Sequence, residues 1–365
     1  MAAILSLVGA IIVLVTLLDV FLTVLYPASG RGPIRKPLSS CVWHGFRLIG
    51  GMTAGQRRRN LLSYSGPVLI TVTLFVWLVL LVAGWAMIFK PALGSGVQAS
   101  SGHTDTGWAT AFYFSGFNLT TLGVGDVSPR TGLYRLLTIT EAALGFAFFS
   151  MVITYFLSVY SNLTSRNAFA QGLHHLTGNT DDAAELLARI ADGSEISAAR
   201  QHLSAKAGFL REIHQTHRFY PVLRYFHYRE PYYALPRILL TALDTATLMR
   251  SALERDRYAR EIEAPAMGEL FEAAMSLMRE LIPAAQPHQP SADEVSLWRE
   301  RYTDALARLA RAGLQVRADS EAGADDYVAL RREWDSPVRE LAAIMLYEWG
   351  SIEPQRIGAP RSRRK

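Results

Sequence analysis

The chain has 365 residues, 50% hydrophobic and 19% charged. Soluble domains carry about 25% charged residues, so part of this chain is built for a medium other than water. Its single cysteine, Cys41, excludes an internal disulfide framework, and the apolar content excludes a disordered or collagen-like chain. The net charge of +5 is unevenly placed: 11 Lys and Arg face 4 acids up to Arg166, and 26 face 28 from Asn167 onward. The positive excess lies in the hydrophobic half, which gives no basic face for nucleic acid.

Three apolar stretches follow in chain order. Residues 1–26 hold one charge, Asp19; residues 66–89 hold none; residues 132–160 hold Arg135 and Glu141. A membrane-spanning helix needs about 20 such residues, and each stretch is long enough. The first lacks a basic leader and exceeds the ~7–15 residues of a signal-peptide core, so it reads as a retained helix. Asp19 near its end reads as a side chain reaching the interface, with pairing to basic residues at the inner boundary as the alternative. Residues 27–65 carry Arg31, Arg35, Lys36, Arg47, Arg57, Arg58 and Arg59 and no acid. Loops rich in Lys and Arg stay in the cytoplasm. The expected topology is therefore an outside N-terminus, an inside basic loop and a cytoplasmic C-terminal half, in a multi-pass protein of the cell membrane. Within the loop, residues 38–49 form an amphipathic interfacial stretch, and Arg57, Arg58 and Arg59 are placed to meet anionic lipid headgroups.

Residues 91–106 are rich in Gly and Ser and predict an exposed loop. Residues 107–118 are apolar and aromatic but too short to span, the signature of a re-entrant segment. They run into Thr120-Thr121-Leu122-Gly123-Val124-Gly125-Asp126. Non-helical backbone at membrane depth persists only where it lines a cavity or is buried in protein. Glycines at alternate positions open backbone angles closed to other residues.

This motif, between two spanning helices in that order, resembles the selectivity filter of the potassium channel pore-domain family. The resemblance covers roughly residues 66–160. It implies an outer helix at 66–89, a pore helix at 107–118, a filter at 120–126 and an inner helix at 132–160. It further implies that Thr121, Leu122, Gly123, Val124 and Gly125 form the conducting filter, with potassium held at Thr121, Leu122, Gly123 and Val124. One loop supplies only a quarter of an ion's ligands, so the family pattern implies a homotetramer in the bilayer. By the same resemblance, Asp126 hydrogen-bonds behind the filter and adds a negative ring at its mouth. Thr120, Tyr113, Phe114 and Glu141 are candidate filter supports, and Phe117 a further member of an aromatic cuff. The sequence departs from the family at Val124, where Tyr or Phe is usual, which opens strict selectivity over sodium to question.

Gly145 lies near the middle of the third apolar stretch. A mid-helix glycine costs about 1 kcal/mol against alanine, which suits either a hinge or a close helix contact. Phe146, Phe149, Ile153 and Leu157 follow at helical spacing as candidate gate residues, able to close a pore by dewetting.

Residues 165–365 predict an all-helical regulatory or assembly domain with an unidentified ligand. Thr180 precedes one helix that ends near Gly193. Leu235, Ile238, Leu239, Leu243, Ala246 and Met249 mark the apolar face of another, and residues 283–290 form a linker. Ser291 to Glu294 is a capping box, and residues 337–349 predict a last amphipathic helix before a basic tail, Arg361–Lys365. No dinucleotide fingerprint or phosphate loop is present. His214, His217 and His227 sit in an aromatic-rich run, a weak metal or pH motif.

The expected fold is an all-α membrane protein: a tetrameric pore-loop cation channel with an extra N-terminal helix and a helical cytoplasmic domain. The expected function is passive potassium conduction without catalysis or cofactor, potassium being the permeant ligand. A poorly selective cation channel and a non-conducting membrane sensor that keeps the pore fold are the alternatives.

Overall fold

A computed structural model describes residues 1–26, 32–191, 196–283 and 289–353. In chain order its helices are α1 (Ala2–Val20, prolonged by a π-turn over Phe21–Leu25), α2 (Arg35–Gly51), α3 (Gly55–Leu62), α4 (Ser65–Phe89), α5 (Trp108–Leu119) and α6 (Gly132–Leu176). These are followed by α7 (Ala183–Ile190), α8 (Ser197–Phe219), α9 (Leu235–Ala252), α10 (Arg255–Ile262), α11 (Pro265–Leu281), α12 (Ala292–Arg311), α13 (Ser320–Arg332), α14 (Asp335–Ile344) and α15 (Trp349–Ile352). Three helical spans are long and apolar enough to cross a membrane, within 2–25, 55–92 and 132–176. The all-α membrane architecture expected from the sequence is borne out.

The chain divides into two compact units. The first comprises Met1–Met52, Tyr64–Ser161 and Phe219–Tyr225. Its core is built by α1 packing along α4 and by α5 packing on α4. Gly9 and Gly84 set the first contact: a Cβ on Gly9 would lie 2.4 Å from the Gly84 carbonyl oxygen, so only glycine lets the backbones approach this closely. Trp77, Leu81, Phe89 and Phe114 fill the centre and are buried. Residues 91–106, expected as an exposed loop, contribute a strand β1 (Val97–Ala99) that pairs antiparallel with β2 (Val127–Pro129), Gln98 opposite Ser128. Val97 and Leu93 are buried beneath this ribbon. Three residues are too few for an alternating pattern to show in sequence.

Asp19 also departs from expectation. Its side chain does not reach outward but is fully buried in protein, with Oδ2 accepting from Trp77 Nε1 at 2.7 Å and Oδ1 from the Ile34 and Arg35 amides at 2.7 and 3.2 Å. One carboxylate thereby joins the end of α1, the start of α2 and the middle of α4, at a helix N-terminus that favours negative charge.

The second unit comprises Thr53–Ser63, Asn162–Arg218 and Phe226–Lys365. It is organised around α9, which packs against α7, α11, α12, α13 and α14. The expected apolar face of α9 is buried, and so is its opposite face, including Thr241, Asp244, Thr245, Thr247 and Ser251. Thr245, Thr247 and Ser251 donate their hydroxyls to carbonyls one turn back, at 2.6–2.9 Å, which lets them sit in a core. The fully buried Arg331 carries its charge there by donating Nε to Asp335 at 2.9 Å and lying 3.5 Å from Asp244. Its guanidinium also lies over the Trp334 and Trp298 rings.

The capping box of Ser291 and Glu294 is present at the start of α12. Asp182, two residues beyond Thr180, caps α7 through the Ala184 and Glu185 amides. The helix expected over 337–349 is instead α14 and α15, broken where Leu346 takes φ +61°. Gly193, most of the 283–290 linker and the Arg361–Lys365 tail lie outside the described residues.

Candidate functional site: the filter segment

The site is built from the end of α5 upward. Thr120 Oγ1 donates to the Gly116 carbonyl at 2.7 Å, closing the helix. The chain then turns back on α5, the Thr121 amide reaching Asn118 O at 3.0 Å and the Leu122 amide reaching Phe117 O at 2.8 Å. Thr121, Gly123 and Gly125 take φ of +57°, +62° and +79°. Alternate residues are thus left-handed, a conformation glycine adopts without cost and threonine does not. The segment is exposed on the single chain, with Leu122 71% and Val124 49% accessible.

Its carbonyls fall into two groups. Among the described residues no donor reaches those of Thr121, Leu122, Gly123 or Val124. The Gly125 carbonyl accepts from Ser100 Oγ at 2.6 Å, and the Ser100 amide donates to Asp126 O at 2.7 Å. Ser100, which sequence reasoning passed over, ties the upper end of the segment to the β1 ribbon. Gly125, counted among the filter residues on sequence, is therefore bonded to the protein, whereas the four carbonyls before it stay open to a ligand. Thr121 Oγ1 donates to Thr120 O at 2.7 Å.

Asp126 Oδ2 accepts from the Tyr113 hydroxyl at 3.0 Å, and Oδ1 from the Val127 amide at 2.9 Å. The carboxylate turns back onto α5. Tyr113 also meets Phe117 edge-on at 5.1 Å, so these two rings stand behind the segment. Phe114 is fully buried; it meets Phe117 edge-on at 5.3 Å and Phe89 of α4 edge-on at 4.9 Å, tying these rings to α4. At the foot of α5, Asp105 accepts from Thr110 Oγ1 at 2.7 Å and the Gly107 amide at 3.0 Å. Those two hydrogen bonds, Thr110 first, hold its carboxyl below the usual range.

The inner face of α6 backs the segment. Glu141 is fully buried, with Oε1 2.6 Å from the Ser115 hydroxyl, which also lies 3.0 Å from the Val82 carbonyl. Ser115, a second residue missed on sequence, thus links α4, α5 and α6. A Cβ on Gly145 would lie 1.9 Å from the Leu119 carbonyl oxygen, so this glycine serves a close helix contact within an unbroken α6. Below it, Phe146, Ile153 and Leu157 share an open face, 60–69% accessible. Phe149 turns partly inward beside Phe148, with ring centres 5.5 Å apart.

The remaining candidates scatter. Arg58 donates to Glu348 at 3.0 Å and to the Leu346 carbonyl at 3.1 Å, so it has protein partners in place of a headgroup. Arg59 donates to Gln56, and Arg57 is exposed. His227 stacks on Tyr347 at 4.0 Å, and burial, with Arg58 adding to it, pushes its pKa down to about 4. His217 Nδ1 pairs with the Ile213 carbonyl at 2.9 Å. Among the described residues no cluster of His, Cys, Asp or Glu could hold a metal ion.

Residues 69–162 match the family model described as ion channel. The chain is also similar to the uncharacterized membrane protein YdjJ of Bacillus subtilis (strain 168), 32% identical over 219 residues. That alignment covers 60% of this chain, and the chain spans 62% of the relative's length. No solved structure matches. Over residues 69–162 this match agrees with the pore-domain resemblance read from the sequence motif.

Proposed function

We propose that this chain is one subunit of a homotetrameric potassium channel of the cell membrane. In this reading the second unit lies in the cytoplasm and the N-terminus outside. The observation that carries it is the run of four unbonded carbonyls, Thr121 to Val124, on a segment of alternating backbone hand. Four such segments around one axis would replace a cation's water shell with oxygen dipoles. A single chain leaves that segment exposed, and assembly gives it its partners. The α5 helix directs its carbonyl end toward the same place, adding negative potential for a cation. Conduction is passive, and the protein's work is to desolvate and pass the ion. Phe146, Ile153 and Leu157 line the path below as the candidate gate.

A less selective cation pore is the second reading, favoured by Val124. No ring stands at that position, and filter support falls to the bond between Tyr113 and Asp126.

The test is potassium-driven flux into liposomes holding the purified protein, beside Gly123→Asp. We expect flux from the wild type and none from the variant, with both eluting as tetramers. No flux from either would favour a membrane sensor that keeps the pore fold, and equal flux from both would mean that ions do not pass through this segment.

A further inference from the structure

Within the first unit, a cavity of about 10 Å³ lies where the end of α1, the start of α2, α4 and α6 meet. That is room for one water-sized atom. Two of its polar lining residues are unusual. Arg35 is 6% exposed, yet among the described residues its guanidinium makes no hydrogen bond and no ion pair. Thr23 is 5% exposed, and its Oγ1 is buried without a partner. A third polar lining residue, Thr73, is satisfied by the Leu69 carbonyl at 2.7 Å. The fourth, Tyr155 of α6, lies close enough to feel the Arg35 charge.

The nearest carboxylate does not resolve this. Asp19 has both oxygens engaged, one by Trp77 Nε1 and the other by the Ile34 and Arg35 amides. A buried hydroxyl without a partner carries a desolvation cost, and a nearly buried cation beside it is usually met with a counter-charge.

We propose that this cavity is an anion site that takes a phosphate group. One phosphate oxygen fills the space between Arg35 and Thr23, while the rest of the group stays on the cavity's open side. The guanidinium suits a phosphate oxygen, giving it a charge-assisted bond. Thr23 and Tyr155 supply neutral donors. The phosphate is that of a phospholipid headgroup or free inorganic phosphate; the lipid source rests on the membrane orientation proposed above. Because Tyr155 belongs to α6, occupancy would bear on the helix that carries the candidate gate.

The test is the thermal midpoint of the purified full-length protein in detergent, titrated separately with phosphatidylglycerol, inorganic phosphate and diacylglycerol, which lacks the phosphate. The wild-type midpoint should rise with one or both phosphate probes and not with diacylglycerol. A rise with the lipid alone assigns the headgroup, and a rise with inorganic phosphate assigns the free anion. Arg35→Gln should weaken the response at least about tenfold, as loss of a charge-assisted contact does. Arg47→Gln, exposed on the same helix, should respond as wild type. Should Arg35→Gln fail to fold, Thr23→Val keeps the volume and should weaken the response on its own. No rise with either phosphate probe, or an Arg35→Gln response equal to wild type, would overturn the proposal. Flux is not the readout, so failure of the channel reading would leave this result standing.

Discussion

The Cα of Gly145 faces the carbonyl oxygen of Leu119 so closely that a Cβ would approach it to 1.9 Å. This one contact sets the distance between α6 and the last turn of α5, and therefore the position from which the filter segment departs. Gly145→Ala forces backbone apart, not a flexible side chain. Overpacking of this kind costs about 1–3 kcal/mol, and here it displaces the filter as well. Gly145→Ala should lose flux and melt earlier. Gly172→Ala, in the same helix with nothing within 4 Å, should melt no earlier than wild type.

Asp19 gathers three helical elements through three donors. Asp19→Ala leaves the Trp77 indole and two amides buried without acceptors, each worth about 1–3 kcal/mol. The variant should be destabilised well beyond Trp77→Phe, which removes only one of the three bonds. A double-mutant cycle on thermal stability checks this: the two losses should be strongly non-additive. Simple additivity would mean the carboxylate does not join these elements.

Arg331 holds the second unit together from inside. Removing one member of a buried charge pair costs about 3–5 kcal/mol, because the partner stays buried and uncompensated. Arg331→Met should therefore unfold the unit around α9, read by loss of a protease-resistant C-terminal fragment in the full-length protein. Arg299→Met, whose ion pairs with Glu321 and Asp325 are exposed, should leave that fragment intact.

His227 makes the second unit acid-sensitive. Its pKa, usually 6.5, is pushed down to about 4, chiefly by burial. Between those values the unfolded chain binds the proton and the folded one does not, so stability falls as pH drops from about 6.5 toward 4. The shift corresponds to about 3 kcal/mol. His227→Phe should flatten this part of the stability-against-pH profile; an unchanged slope would place the sensitivity elsewhere. The same low pKa keeps His227 neutral near pH 7 and argues against its sensing small changes there.

The long apolar helices and the left-handed turn that follows a short aromatic helix were legible in the sequence because their signals are local: apolar length for the first, glycine spacing beside an aromatic segment for the second. The capping box at Ser291 is local too. What stayed hidden depends on partners distant along the chain. Asp19 looked like an interfacial side chain until Trp77, 58 residues away, supplied a donor. Ser100 and Ser115 are ordinary serines in sequence and take their roles from the Gly125 carbonyl and Glu141. Arg331 carries no sign of burial in the sequence because its compensating acids, Asp244 and Asp335, are brought together only by the fold. Arg58 looked free for a headgroup because its partner, Glu348, lies 290 residues on.

The central claim is selective cation conduction through the carbonyls of Thr121 to Val124. The measurement that addresses it most directly is the reversal potential of the purified protein in a planar bilayer, with potassium on one side and sodium on the other. The account predicts reversal close to the potassium equilibrium value, with current abolished by Gly123→Asp. Current that reverses near zero, or that survives this substitution, would contradict it.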